Sequence, residues 1–208
     1  MSVKTVGYVS FPLERETGIL PQLDQADIVL IRTKHNFLRH CLRKATKSYW
    51  DHVALILFPK NLEKGHFYDL IVESLNPRGV EIHKLEKYLT NPKKYDVGIK
   101  RIKNLNEKEK KETIEFMLMN IDAPYYKLSR IRFFFASLNE DLGRWLLRKQ
   151  RYSCTGLVQK SFYEAASAEE KAKFTFRNDY SSPFELQEST TPADIANSEN
   201  TVWLYNKK

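Results

Sequence analysis

The apolar residues of this chain come first in short, nearly continuous runs and only later at helical spacing. Ala26-Asp27-Ile28-Val29-Leu30-Ile31-Arg32 and the stretch 52–58 are mostly apolar and rich in β-branched residues, which predicts two strands. The same reading gives strands at 68–75, 80–83 and 95–102, and a short closing strand at 201–205. Between them, 35–47 reads as a short basic helix, 60–65 as a turn, and Asn76-Pro77-Arg78-Gly79 as a tight turn. From 106 onward the period changes. Ile114, Met117, Leu118 and Ile121 recur on one face of a helix over 106–121, with Asn106 as N-cap and Glu109 as its capping-box partner. The stretch 128–151 is aromatic and basic and reads as helical. Residues 154–165 form the next amphipathic helix, with Leu157, Val158, Ser161 and Phe162 facing inward. Strands followed by helices predict an α+β fold with a mostly antiparallel sheet. No linker breaks the pattern, so one domain over residues 1–208 is expected, with an insertion at about 128–150.

Composition narrows the class without naming a chemistry. The chain is long enough for a sizeable core, and 42% hydrophobic and 12% aromatic residues exclude collagen, coiled coil and disorder. No stretch has the length of a signal peptide or a membrane span, so a soluble, cytoplasmic protein is expected. The formal net charge of +8 suits anionic partners such as an anionic membrane surface, or simply a solvated basic face. No clean basic stripe or nucleic-acid motif is present, so nucleic acid is not an expected partner. Cys41 and Cys154 are too few for a disulfide framework but enough for one bridge. With scattered histidines they lack the spacing of a zinc site, so no metal and no cofactor are expected. Oligomeric state is left open.

Cys154 is the residue that suggests chemistry. In Tyr152-Ser153-Cys154-Thr155-Gly156-Leu157-Val158-Gln159-Lys160 it is the first residue of the helix, where unpaired N–H groups and partial positive charge favour a thiolate. Otherwise a lone cysteine is a buried structural thiol. A thiol nucleophile needs a base, a group to orient that base, and donors for an oxyanion. Of five histidines, His35, His40 and His66 fall in charged or turn segments and read as surface residues, whereas His52 and His83 lie on strands. A simple hairpin register sets His52 opposite Glu73 on one face, and pairs Glu73 with Ile82, which turns His83 to the other face. Glu73 lies in an apolar strand and there needs a cationic or hydrogen-bonding partner; the alternative is a sheet-end acid paired with a lysine. Asp51 faces away from His52 and is the weaker orienter. The backbone N–H of Cys154 is the first oxyanion donor. Tyr125 and Tyr126 are candidates to reach the site or to fill the core, and Ser153 and Thr155 flank the nucleophile as candidate substrate contacts.

Ser153-Cys154-Thr155-Gly156-Leu157-Val158-Gln159 resembles the Asp-Cys-Ser-Gly-Leu-Val-Gln motif of NlpC-type papain-like cell-wall peptidases. There the cysteine precedes the histidine; here His52 comes first. That order resembles the circularly permuted YiiX/YaeF-like amidases, related to the lecithin:retinol acyltransferase group. Further segments agree in sequence order: Gln25-Ala26-Asp27-Ile28-Val29-Leu30, Trp50-Asp51-His52-Val53-Ala54, Val72-Glu73-Ser74, Ala123-Pro124-Tyr125-Tyr126 and Thr191-Pro192-Ala193-Asp194-Ile195. The resemblance implies a permuted papain-like fold, a mostly antiparallel sheet or small barrel packed on helices, with Cys154 as nucleophile, His52 as base and Glu73 as orienter. Three features depart from the pattern. Ala26 stands where glycine is usual, Gly156 where the permuted branch often has glutamate, and 128–150 is longer than the pattern needs.

This reading implies acyl chemistry through a thioester, with hydrolysis of a peptide-like or acyl-amide substrate as its first form. A lipid-directed acyltransferase or thioesterase is the second. The segment 130–148 mixes arginines with aromatics, as an anionic lipid surface or an acyl groove would require, or as an ordinary basic helix with its aromatics in the core. A catalytically inactive binding module on the same scaffold is the third; intact Cys154, His52 and Glu73 argue against it.

Overall fold

The computed structural model describes residues 22–59, 69–125, 152–177 and 179–207. Among them six strands form one antiparallel sheet: β1 (Ile28–Thr33), β2 (His52–Phe58), β3 (Leu70–Leu75), β4 (Gly79–Lys84), β5 (Tyr95–Ile102) and β6 (Thr201–Lys207). Their order is β4-β3-β2-β1-β5-β6. The helices are α1 (Phe37–Thr46), α2 (Glu86–Leu89), α3 (Glu107–Met119), α4 (Cys154–Ala165), α5 (Pro183–Ser189) and α6 (Pro192–Asn197), with a 3₁₀ turn at Lys171–Phe174. None is long and apolar enough to cross a membrane. The expected turn at 60–65, the start of the strand at 68, and the helix at 128–151 lie outside the described residues.

The continuous apolar runs of β1 and β2 arise because the sheet is covered on both faces. Ile28, Leu30, Val53, Leu55 and Val72 pack on one side against Ile114 and Met117 of α3 and Leu157, Val158 and Phe162 of α4. Val29, Ile31, Ala54, Ile56 and Ile71 pack on the other against Leu85, Tyr88 and Leu89 around α2. Burying a side chain of this size contributes roughly 1.5–3 kcal/mol, so the two layers together fix which way each strand faces. α3 carries the expected capping box between Asn106 and Glu109. Its inner arc runs through Glu109, Thr113, Ile114 and Met117. At ~100° per residue Leu118 lies beyond the edge of that arc. It is therefore exposed, against expectation.

Two registers differ from the simple hairpins. Ala54, not His52, faces Glu73, and the β2–β3 ladder has an irregularity between Ile56 and Phe58. The offset is two residues, so His52 and Glu73 still share a face. On β4 the offset is one: Glu73 faces Glu81, not Ile82. The turn closes with Leu75 opposite Gly79, which shortens the loop by one residue. Gly79 belongs to the strand at φ 100°, and a Cβ there would stand 2.3 Å from the Ala123 carbonyl oxygen. This close approach lets the chain after α3 bond along β4, from Val80 N–H to Ala123 O (3.0 Å) and from Asp122 N–H to Val80 O (3.0 Å). A one-residue slip flips every side chain, and His83 consequently lies on the face of Glu73.

Both ends of α6 are closed. Thr191 and Asp194 form a capping box with Pro192 at the first turn. The buried Lys100 ammonium donates to the carbonyls of Ile195 (3.1 Å), Ala196 (2.6 Å) and Ser198 (3.3 Å), which holds the C-terminal end on β5.

Candidate active site

The chain entering α4 is pinned on both sides. Tyr152 N–H donates to Pro124 O (3.3 Å), and Ser74 Oγ donates to Tyr152 O (2.8 Å). Ser153 is the N-cap, its Oγ accepting from Gly156 N–H at 3.0 Å. A Cβ on Gly156 would lie 2.8 Å from both that Oγ and the Gln187 carbonyl oxygen, so glycine here lets α5 close onto the helix start. Gln159 is fully buried. Its amide donates to Phe174 O (2.8 Å) and accepts from Phe176 N–H (3.0 Å), tying α4 to the segment behind it. These contacts account for the Cys-x-Gly-x-x-Gln spacing: cap, close approach and clip all serve to place one cysteine.

That cysteine is 8% exposed and unbridged; Cys41 is also free, and exposed. The expected alternative of a disulfide is not formed. The Cys154 thiol is hydrogen-bonded to His52, the first residue of β2, and receives the Val53 N–H. Burial pushes the thiol up, but the His52 charge, these two hydrogen bonds and the Arg39 guanidinium outweigh it and leave the thiol below its ordinary value. Burial likewise disfavours a charged His52, yet the facing Cys154 and Glu73 raise it to about 9. The shifts run in opposite directions on the two partners, and each favours the charged, thiolate–imidazolium form of the pair over the neutral one.

Glu73 completes the line. Its Oε2 is 2.5 Å from His52 Nε2, which leaves Nδ1 of the ring toward the sulfur. The carboxylate is 1% exposed and encircled by donors. Tyr88 hydroxyl donates to Oε2 (2.6 Å) and Lys87 Nζ donates to Oε1 (2.8 Å), while His83 Nδ1 stands 3.0 Å from Oε1 without a hydrogen bond to it. Burial pushes Glu73 up, but His52, Lys87 and Tyr88 together hold it well below the usual carboxylate range. Burial and that same charge raise the Tyr88 hydroxyl, which stays a donor. The sequence offers a lysine as a partner for Glu73 without identifying Lys87, and gives no sign of Tyr88. The simple hairpin register turns His83 to the opposite face from the one it occupies, and four-residue α2 is too short to show a period.

The structure brings Cys154, His52 and Glu73 together and places Tyr125 beside them. Tyr125 forms a parallel bridge with Tyr152, and burial together with the Cys154 charge raises its hydroxyl. Ser153 serves the helix cap, and Thr155 is buried in α4. Tyr126 and His66 lie outside the described residues. His35 and His40 are exposed, as expected. Asp51 accepts from Thr33 N–H (2.9 Å), Thr33 Oγ1 (3.0 Å) and Arg43, so it anchors α1 and not the histidine ring. Among the described residues, no three His, Cys, Asp or Glu side chains converge where a metal ion could sit.

The arrangement is able to generate a thiolate, transfer a proton through an oriented imidazole and present the Cys154 N–H to an oxyanion. Comparison with known proteins agrees in kind. Among solved structures, the chain is similar to the crystal structure of the metalloprotein yiiX from Escherichia coli O157:H7, at 14% identity and a TM-score of 0.55. That similarity covers 89% of this chain and 98% of the other, and it bears on the fold. No curated protein matches the sequence. Residues 22–205 match the family of permuted papain-like amidase enzymes, YaeF/YiiX, C92. The chain therefore belongs to the permuted papain-like amidases of the YaeF/YiiX, C92 family, a group of papain-like cysteine hydrolases.

Proposed function

We propose that the protein hydrolyses an amide bond through a thioester on Cys154. The Cys154 thiolate attacks the carbonyl carbon, and the oxyanion is met by the Cys154 N–H at the start of α4 and by the Tyr125 hydroxyl. The imidazolium of His52 gives its proton to the amine as the carbon–nitrogen bond breaks. His52 then takes a proton from water, water attacks the thioester, and the carbon–sulfur bond breaks to release the acid and restore the thiolate. Glu73 stays ionised and holds the ring. The observation that carries this reading is the buried line from Cys154 through His52 to Glu73, with opposite pKa shifts on sulfur and ring. Ser153 and Thr155 act on the substrate only through the backbone they position.

The word metalloprotein describes the Escherichia coli relative. Here His52 and Glu73 are engaged with each other and with Lys87 and Tyr88, and the described donor set does not fit a metal ion. No step above is routed through one.

The test is alkylation followed by turnover. Iodoacetamide should modify Cys154 in preference to Cys41 at mildly acidic pH, and His52→Ala should remove that preference. A panel of N-acyl peptides and acyl amides should be hydrolysed by the wild type and not by Cys154→Ala. Equal alkylation of the two cysteines, or turnover surviving in Cys154→Ala, would overturn the proposal.

A further inference from the structure

α1 is an amphipathic helix facing the wrong way for a core. Arg39 and Arg43 point inward, Arg43 paired with buried Asp51 and Arg39 Nη1 donating to Asp51 O at 3.2 Å. Phe37, Leu38, Cys41 and Leu42 fall on the opposite arc. Phe37 and Leu38 are each 78% exposed, and Leu42 and Cys41 are exposed beside them. No acidic residue occurs anywhere in the helix. Its rim is cationic. Lys44 and Lys47 are exposed and have no ion-pair partner among the described residues. A groove at the N-terminal end is lined by Arg32, Lys34, His35, His40 and Arg43 with Phe37. Asp96, which pairs with Arg32 and Lys34, and Asp51, which pairs with Arg43, are themselves buried.

An outward apolar arc ringed by cations is the pattern of a helix that lies in a lipid interface. We propose that α1 docks the protein on an anionic phospholipid surface, inserting Phe37, Leu38 and Leu42 between acyl chains while the flanking cations hold lipid phosphates. The occupant is fixed by charge complementarity: an apolar face without an acid, rimmed by Lys44 and Lys47 and beside a groove where Arg32, Lys34 and Arg43 outnumber the two buried acids they pair with, suits anionic headgroups and repels a second copy of itself. Arg39, on the inward arc, bonds the residue before His52 and acts on Cys154. Docking would therefore place the catalytic crevice within about one helix diameter of the headgroups. This inference does not depend on the reaction proposed above.

The test uses the full chain in the Cys154→Ala background, with an environment-sensitive fluorophore on exposed Cys41. Vesicles of phosphatidylcholine with about 30% phosphatidylglycerol should blue-shift the emission and co-sediment the protein, pure phosphatidylcholine vesicles should do so about tenfold less well, and salt should weaken binding to the anionic vesicles. Phe37→Glu with Leu38→Glu, both at solvent-facing positions, should reduce vesicle binding about tenfold or more without changing the circular dichroism. The proposal is overturned if the label is already blue-shifted without lipid, which would mean protein covers the face. It is also overturned if the shift follows protein concentration, which would mean a second copy does, or if the double variant binds as the parent does.

Discussion

Glu73→Gln removes one charge from the buried line and leaves its shape almost intact. His52 is raised from 6.5 to about 9, and the facing charges of Cys154 and Glu73 produce that rise against burial. At about 1.4 kcal/mol per unit, the imidazolium is favoured by about 3 kcal/mol in net. The sign follows directly. A raised histidine keeps its proton until pH climbs through about 9, so the alkaline limb of kcat/KM should lie near 9 in the wild type. The acidic limb should report Cys154 and fall below the thiol's ordinary value of 9.0. Glu73→Gln should move the alkaline limb down by roughly a unit or more and lower kcat/KM about a hundredfold or more. The variant also turns an amide toward Tyr88, Lys87 and His83, so it should lose about 3 kcal/mol of stability. The share owed to His52 is complete below pH 6.5 and disappears as pH rises through about 9. The gap in Tm between the two proteins should therefore narrow at high pH. A pH–rate profile against an N-acyl peptide, paired with thermal melts from pH 6 to about 10, reads both. An unchanged alkaline limb in a folded Glu73→Gln protein would refute the reasoning.

Three other substitutions separate the parts of the site. Asp51→Asn should cost about 3 kcal/mol by thermal or urea melt, because it strips Arg43 of a buried partner, yet leave both limbs of the pH profile in place; a shifted limb would make Asp51 part of the catalytic line. Tyr125→Phe should lower kcat roughly 10²-fold with little change in KM if its hydroxyl meets the oxyanion, and a pure KM effect would assign it to ground-state binding. Gly156→Ala should destabilise the protein and slow alkylation of Cys154, since the new Cβ meets the Gln187 carbonyl and the Ser153 cap at 2.8 Å; unaltered alkylation would show that the helix start does not depend on that approach.

The legible parts of the sequence were those with local causes. Apolar runs in β1 and β2, the Asn106 capping box and the inward stripe of α4 follow from period and capping alone. Local pattern places Cys154 at a helix start and His52 on a strand, but His83 lies on a strand too, and it is the resemblance to the permuted amidases that pairs Cys154 with His52. The parts that escaped depend on register or on tertiary charge. His83 moved to the face of Glu73 because the β3–β4 turn closes one residue earlier than the four-residue motif suggests. Lys87 and Tyr88 sit on a single helical turn that burial of Glu73 explains and periodicity does not. A buried carboxylate demands donors, and that demand was the one signal that could have located them. α1 was read correctly as a basic helix. Its outward apolar arc follows only once buried Asp51 is seen to hold Arg43 and to lie against Arg39.

The central claim is that Cys154 carries the acyl group. Rapid-quench intact mass spectrometry with peptide mapping, on protein mixed with an activated N-acyl ester, tests it most directly. A transient mass increase equal to the acyl group is expected, mapped to Cys154, longer-lived in Glu73→Gln and absent in Cys154→Ala. An adduct on any other residue, or hydrolysis that proceeds at the wild-type rate in Cys154→Ala, would contradict it.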